Sequence, residues 1–180
     1  AKNKKLQDSD PKWENLARNA SVAFEQERFK KAIKLVEKAL KLSGDNIGPE
    51  HVGLAQILHE VAIDYAMSNK FVQAETVYIR SLEIWEKALG SDHLDVAMVL
   101  DNLGSLYAVY DDVNKTVPLW ERSLAIREAK LGPDHPDVVE SLERLANIYK
   151  LQGEYSKAET IFIRLKTILE EQYGPDHPKV

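Results

Sequence analysis

A four-residue motif returns every 42 residues along this chain of 180 residues. Its copies begin at Gly48, Gly90, Gly132 and Gly174, and they read GPEH, GSDH, GPDH and GPDH. A fixed period of this length predicts an array of similar supersecondary units, because each unit buries its apolar face only by stacking on a neighbour. Arrays of this kind usually present surfaces to other molecules, so the period favours binding over catalysis.

Apolar residues within each repeat recur at spacings of three and four, which is typical of amphipathic α-helices. Two helical stretches alternate with short turns, and no alternating pattern typical of a strand is present. In the first stretch the matched positions are Leu58, Ala62 and Tyr65, then Leu100, Gly104 and Tyr107, then Leu142, Ala146 and Tyr149. In the second they are Ala74, Tyr78 and Ile84, then Thr116, Trp120 and Ile126, then Ala158, Phe162 and Ile168. The same helix faces are therefore predicted to be buried in every repeat.

This register divides the chain into three parts. Residues 1–11 are predicted to form a polar N-terminal arm, and residues 174–180 to begin a further repeat linker. Between them lies a single array, residues 12–173. Its four helix pairs are predicted to span residues 12–47, 48–89, 90–131 and 132–173.

Turn chemistry supports these helix boundaries. Asp92 and Asp134 are predicted to supply the capping oxygen of the helices that follow them, with Asp95 and Asp137 close to the positive helix ends. Pro136 fits an early helical position. The residues expected to turn the chain between paired helices, where a left-handed backbone is needed, are Glu27, Asn69, Asp111 and Gly153.

These residues resemble the tetratricopeptide repeat, in the 42-residue form found in kinesin light chains and related bacterial arrays. The family's linker, commonly written LGPDHPDVA, is seen here as LGPDHPDVV from Leu131 to Val139, and its second-helix signature runs from Ala74 to Ile84. The resemblance covers residues 12–173. It implies an all-α, right-handed superhelical solenoid of antiparallel helix pairs, whose first helices line a concave groove. It also implies a protein- or peptide-binding scaffold or adaptor.

The resemblance also implies which residues line that groove, because they lie on the first helices away from the buried Leu and Tyr positions. They are Gln56, His59, Ile63 and Met67, then Met98, Asp101, Asn102, Ser105 and Val109, then Glu140, Glu143, Asn147 and Lys150. Light-chain repeats typically carry paired asparagines here, and this chain keeps only Asn102. We expect an acidic to mixed groove with apolar spots at Ile63, Met67 and Val109. Such a groove favours an extended or helical segment that carries Lys or Arg.

The charge distribution limits the class of partner. Residues 1–47 hold 11 Lys and Arg against 7 Asp and Glu, whereas residues 48–180 hold 13 against 22. An acidic body argues against nucleic acid, whose phosphate backbone requires clustered cations. No apolar run approaches the length of a membrane-spanning helix, so no membrane association is expected. The predicted partner is a protein or peptide segment of basic or mixed charge.

Nothing in the sequence favours catalysis, a cofactor or a metal. The chain has no cysteine, no nucleophile paired with a base at a defined spacing, and no glycine-rich phosphate loop. The absence of cysteine leaves the cellular compartment open. The four loop histidines are interpreted as structural caps, since successive copies lie too far apart to share one ion. They are His51, His93, His135 and His177.

Two alternative functions stay open at this point. A regulatory or sensor module of a larger enzyme or signalling protein would place a segment of its own parent in the groove. A self-assembling structural element would associate through the ends of the array, where an uncapped apolar face is exposed.

Overall fold

The computed structural model describes residues 12–44 and 46–175, and within these ranges the chain forms helices and no strand. The all-α class predicted from the sequence is confirmed. The predicted arm at residues 1–11 and linker residues 176–180 lie outside the described residues. The helices are α1 (Lys12–Glu25), α2 (Phe29–Ser43), α3 (Val52–Met67), α4 (Phe71–Leu89), α5 (Leu94–Val109), α6 (Val113–Leu131), α7 (Pro136–Leu151) and α8 (Tyr155–Tyr173), with a short 3₁₀ turn at Pro49–His51 before α3.

The helices belong to two compact units, the first ending at Ser91 and the second beginning at Asp92. In unit 1, α1 packs on α2 and α3 packs on α4, and α3 also contacts α1 and α2. In unit 2, α5 packs on α6 and α7 packs on α8, while α7 also contacts α6. Each unit therefore contains two consecutive helix pairs. We call α1, α3, α5 and α7, the first helix of each pair, the A-helices.

The repeated apolar face is buried as predicted except at Phe162 of α8, which is 43% exposed, so that part of the prediction is wrong. Leu58, Leu100 and Leu142 are all withdrawn from solvent, and so are Trp85 and Trp120 of the second helices. These side chains supply the transfer free energy that holds each pair together, at about 1.5 to 3 kcal/mol for a fully buried large aliphatic side chain. The matched leucine position is therefore buried in both units.

One matched position shows how the repeats tolerate variation. Gly104 stands where the other repeats have Ala62 and Ala146, and a β-carbon built on Gly104 would lie 2.6 Å from both Cδ1 and Nε1 of Trp120. The indole Nε1 donates a hydrogen bond to the backbone oxygen of Asp101 at 3.2 Å. Trp120 is thus the largest ring in its column because the facing helix has no β-carbon there.

The backbone conformation at the turns explains which residues occur there. Glu27, Asn69 and Asp111 have φ of 55°, 56° and 60°, so all three occupy the left-handed region, as does Gly153 at 76°. The linker glycines differ, since Gly132, which ends α6, has φ 92° and ψ 160°. That region is essentially restricted to glycine. Gly90 and Gly174 share this conformation, so backbone geometry fixes the glycine in three of the four copies of the motif. Gly48 differs, because its φ of −129° is extended.

The helix caps correct one prediction. Asp92 and Asp134 do not cap α5 and α7; instead the Nδ1 atoms of His93 and His135 accept the backbone N–H groups of Asp95 and Asp137, each at 3.2 Å. The helices begin one residue later than the aspartate prediction requires, which places the histidine at the capping position. Asp92 pairs with Lys130 Nζ at 2.7 Å, and this hydrogen bond lowers the pKa of the Asp92 carboxyl.

In the linker before α3, residues 48–51, the histidine has another role than in the linkers of unit 2. His51 is buried, and its Nδ1 accepts the backbone N–H of Gly48 at 3.1 Å while its Nε2 lies 2.8 Å from Ser43 Oγ. The ring of Trp13 stacks on the imidazole with centroids 4.5 Å apart. His51, His93 and His135 therefore have structural roles, as interpreted from the sequence, and His177 lies outside the described residues.

Candidate partner-binding face

The thirteen residues predicted to line a groove lie on three A-helices, α3 in unit 1 and α5 and α7 in unit 2. The structure divides them by exposure. Eight are exposed: Gln56, Met67, Met98, Val109, Glu140, Glu143, Asn147 and Lys150. Three are half-buried: Ile63, Asn102 and Ser105. Two are buried: His59 and Asp101.

The most exposed of the apolar candidates occupy one repeated position. Met67 ends α3 and is 79% exposed, Val109 ends α5 and is 78% exposed, and Leu151 ends α7 and is 82% exposed. Leu151 was missing from the predicted set, although the 42-residue register places it directly after Met67 and Val109. We call these three residues the apolar end positions. Leaving one large aliphatic side chain in water forgoes about 1.5 to 3 kcal/mol that its burial would contribute.

The placement of His59 in an exposed groove is wrong. The residue is only 5% exposed, and its ring meets the ring of Tyr78 edge to face with centroids 5.6 Å apart. The contact crosses from α3 to α4 within unit 1, so His59 contributes to the packing between paired helices. Because His59 has no counterpart in the other repeats, the sequence suggests an exposed residue. In the structure its side chain fills space beside the ring of Tyr78.

The placement of Asp101 in an exposed groove is also wrong. It is 6% exposed, and its Oδ2 lies 2.5 Å from Arg127 Nη2 and 3.6 Å from Arg144 Nη1. Arg127 also donates to Ser141 Oγ at 2.7 Å. Asp101 therefore joins α5, α6 and α7 in one ion-pair cluster and offers no carboxylate to a partner.

The electrostatic state of Asp101 follows from this burial. Desolvation raises the pKa of the Asp101 carboxyl above its ordinary value, while the Ser123 hydroxyl, Arg127 and Arg144 act in the opposite direction. Without the two guanidinium groups a buried carboxylate would be strongly unfavourable. The cluster thus neutralises an internal charge and fixes Arg144, which stays half-exposed and also pairs with Glu140.

Among the predicted groove residues, the charged side chains that are exposed all lie on α7. Glu140 and Glu143 are both exposed, and Asn147 and Lys150 follow along the same helix. Leu151 comes directly after Lys150. Unit 2 therefore presents two carboxylates followed by a large aliphatic side chain at the end of the same helix.

The described part of the chain contains no group of three or more His, Asp or Glu side chains arranged to hold a metal ion. Within those same ranges, no helix combines the length and the apolar character that crossing a membrane requires.

Comparison with known proteins gives the family of this architecture. A family model described as Tetratricopeptide repeat matches residues 14–78, 70–109 and 111–171. Among solved structures, BtubC (BKLC) from P. vanneervenii is 30% identical with a TM-score of 0.64, over 97% of this chain and 70% of that one. A search of curated proteins finds no match.

Two further structures show the fold alone. A kinesin light chain-like protein from Podosopora anserina with nearly identical TPR-like repeats is 22% identical with a TM-score of 0.60, over 94% of this chain and 81% of that one. The N-terminal domain of stress-induced protein-1 (STI-1) from C. elegans is 18% identical with a TM-score of 0.53, over 74% of this chain and 93% of that domain.

Proposed function

Because the chain belongs to the tetratricopeptide repeat family, whose repeats generally mediate protein–protein interaction, we propose that it is a non-enzymatic adaptor. The A-helices of unit 2, α5 and α7, bind an extended or helical protein segment that carries Lys or Arg beside apolar side chains. The observation that carries the proposal is the exposure of a large aliphatic side chain at the end of α3, α5 and α7.

The apolar end positions support an apolar anchor in the partner. A single exposed aliphatic residue is ordinary on a protein surface, but the same exposed position in three successive repeats is a pattern. Two of its members, Val109 and Leu151, lie in unit 2 together with the exposed carboxylates of α7. A partner that buries both side chains gains about 3 to 6 kcal/mol before the cost of association.

The charge of α7 supports a basic partner. Glu143 is exposed, whereas Glu140 pairs with Arg144. Exposed charges of this kind contribute modestly to affinity and more to the choice and rate of partner association. We therefore assign the apolar end positions to affinity and Glu143 to charge selection.

A peptide-display selection against the purified chain tests the proposal. We expect the selected peptides to be enriched in Lys or Arg flanked by aliphatic or aromatic residues. Leu151→Asp should weaken their binding at least tenfold, and Glu143→Lys about threefold, with the second effect fading at high salt. Val72→Asp is the matched control, because Val72 is 67% exposed on α4 and lies outside the A-helices. Peptides whose binding survives Leu151→Asp, or that carry mainly Asp and Glu, would contradict the proposal.

A further inference from the structure

A cleft between the two helix pairs of unit 1 carries an excess of positive charge. Its volume is about 530 Å³, and the turns that precede α2 and α4 line it. Both of its sides are therefore formed by consecutive helix pairs of the same unit. Four cations and one carboxylate line the cleft: Arg28, Lys30, Lys31 and Lys70, with Glu27.

Two aromatic rings form the apolar wall of the cleft. Phe29 of α2 is half-buried and Tyr65 of α3 is buried, and their rings meet edge to face with centroids 5.9 Å apart. The Nζ atom of Lys70 lies 5.5 Å from the centroid of the Tyr65 ring, within the range of a cation–π contact. The ring thus holds one of the four cations at the cleft.

The third repeat shows how the chain balances a cation at this place. Lys115 Nζ lies 4.6 Å from the centroid of the Tyr107 ring, as Lys70 lies over Tyr65. Lys115 Nζ is also 3.5 Å from Oδ2 of Asp112. The 42-residue register aligns Asp112 with Lys70. The second repeat therefore keeps a cation on the ring, but supplies it from the position where the third repeat has its carboxylate.

The first and fourth repeats show the same contrast. In the fourth, Oε2 of Glu154 lies 3.6 Å from Nζ of Lys157. In the first, Arg28 stands at the position of Glu154 and Lys31 at that of Lys157. In the part of the chain that the structure describes, none of the four cations of the cleft pairs with a carboxylate. Unit 1 has therefore replaced two acidic turn positions by basic ones and left their charge unbalanced.

A phosphoryl group matches this excess of charge better than a single carboxylate does. It carries about −1.5 to −2 charges at pH 7 and three strong acceptor oxygens, whereas a carboxylate carries one charge and two oxygens. A guanidinium binds two phosphoryl oxygens at once, and ammonium groups add further donors. Each lysine pair of unit 2 needs only one carboxylate, but four cations beside Glu27 need more.

We propose that this cleft binds a phosphorylated side chain in a segment of another protein. Arg28 and Lys70 contact the phosphoryl oxygens, Lys30 and Lys31 add to the positive field, and the aromatic wall packs against the neighbouring part of the segment. A protein segment is the source because tetratricopeptide repeats generally mediate protein–protein interaction. The site is distinct from the A-helix face of unit 2, since it lies in unit 1 and selects the opposite charge.

Three fluorescent peptide pools with identical degenerate flanks test the proposal. The central residue is a mixture of phosphoserine, phosphothreonine and phosphotyrosine in the first pool, of Ser, Thr and Tyr in the second, and Glu in the third. We expect the full chain to bind the first pool at least tenfold more tightly than the second and at least fivefold more tightly than the third, measured by fluorescence anisotropy. Equal binding of the first and third pools would overturn the proposal. Inorganic phosphate that competes at the concentration of the peptides would overturn it too, because the site then takes a free ion.

Variants of the protein then locate the binding. Arg28→Asp combined with Lys70→Glu gives the cleft the charges of unit 2 and should weaken binding of the phosphorylated pool at least tenfold. Both residues are exposed, so the unfolding midpoint should not change. Lys38→Glu combined with Lys41→Glu is the matched control, because it changes the net charge equally at exposed positions of α2 outside the cleft. Glu27→Gln should tighten binding two- to threefold.

The two proposed sites are separated by one further variant. Leu151→Asp should leave binding of the phosphorylated pool unchanged, although it weakens the basic peptides. The proposal is overturned if Leu151→Asp weakens the phosphorylated pool, or if the control pair weakens it as much as the cleft pair does. In the second case net charge, rather than the cleft, attracts the peptides.

Discussion

The contact between Gly104 and Trp120 supports a quantitative prediction about packing between α5 and α6. Gly104→Ala would place a β-carbon 2.6 Å from two indole atoms, well inside ordinary van der Waals contact. In the neighbouring repeats the same position is alanine, and the ring at the position that matches Trp120 is smaller, Tyr78 or Phe162. Alanine therefore occurs at this position in the other repeats. Beside Trp120, however, its β-carbon has no space.

The expected cost combines three contributions. Overpacking of a core contact costs about 1 to 3 kcal/mol. Displacing Trp120 also weakens its hydrogen bond to the oxygen of Asp101, worth about 1 kcal/mol. Alanine returns about 1 kcal/mol of helix propensity relative to glycine. We expect Gly104→Ala to lower the free energy of unfolding by about 1 to 3 kcal/mol.

A double-mutant cycle measured by urea denaturation tests this account. Trp120→Tyr alone should destabilise the chain by leaving a cavity beside Gly104. The combination of Gly104→Ala with Trp120→Tyr reproduces the Ala62–Tyr78 pair of the preceding repeat. Its cost should be smaller than the sum of the single costs by at least about 1 kcal/mol. Additive costs, or a Gly104→Ala variant more stable than the parent, would refute the reasoning.

Three further predictions follow from single side chains. Burial raises the pKa of Tyr78 to about 12 from an ordinary 10.0, so the stability contributed by its neutral phenol should be present below pH 10 and be lost as the pH rises through about 12. Tyr78→Phe should remove this part of alkaline unfolding, followed by circular dichroism. Glu27→Gly relieves a left-handed backbone and should stabilise the chain by about 0.5 to 1 kcal/mol, whereas Gly153→Glu should destabilise it, both measured by thermal unfolding. Ser123→Ala removes a buried hydroxyl that hydrogen-bonds the oxygen of Ala97 and also favours the charged form of Asp101, so it should cost about 1 to 3 kcal/mol in urea.

The fold was predictable because its signal is repeated. An apolar residue equivalent to Leu58 occurs again 42 residues later, at Leu100. This periodic apolar spacing indicates which face of each helix is buried. The turn residues were predictable for the same reason, since Glu27 and Asn69 stand at one register position. The capping residue was not, because Asp134 and His135 are adjacent and both can accept a backbone N–H; only the start of α7 decides between them.

The candidate site was predictable only where each side chain acts alone. Val109 is 78% exposed at the end of α5, and Leu151 follows from carrying the register of Met67 and Val109 through to the last repeat. The sequence predicts an exposed Asp101 because it does not show that Arg127 and Arg144 contact this side chain in the folded protein. Polar residues without counterparts in other repeats take their role from tertiary partners, and periodicity carries no information about those.

The claim that the A-helices hold the partner is tested most directly by photo-crosslinking from single positions. A photoreactive phenylalanine analogue is placed at Val109, at Leu151 or, as the control, at Val72, and the chain is exposed to a display-selected basic peptide. The account predicts efficient crosslinking from Val109 and Leu151, competed by unlabelled peptide, with the crosslinked site next to Lys or Arg in the peptide sequence. Equal crosslinking from Val72, or none from the apolar end positions, would contradict it.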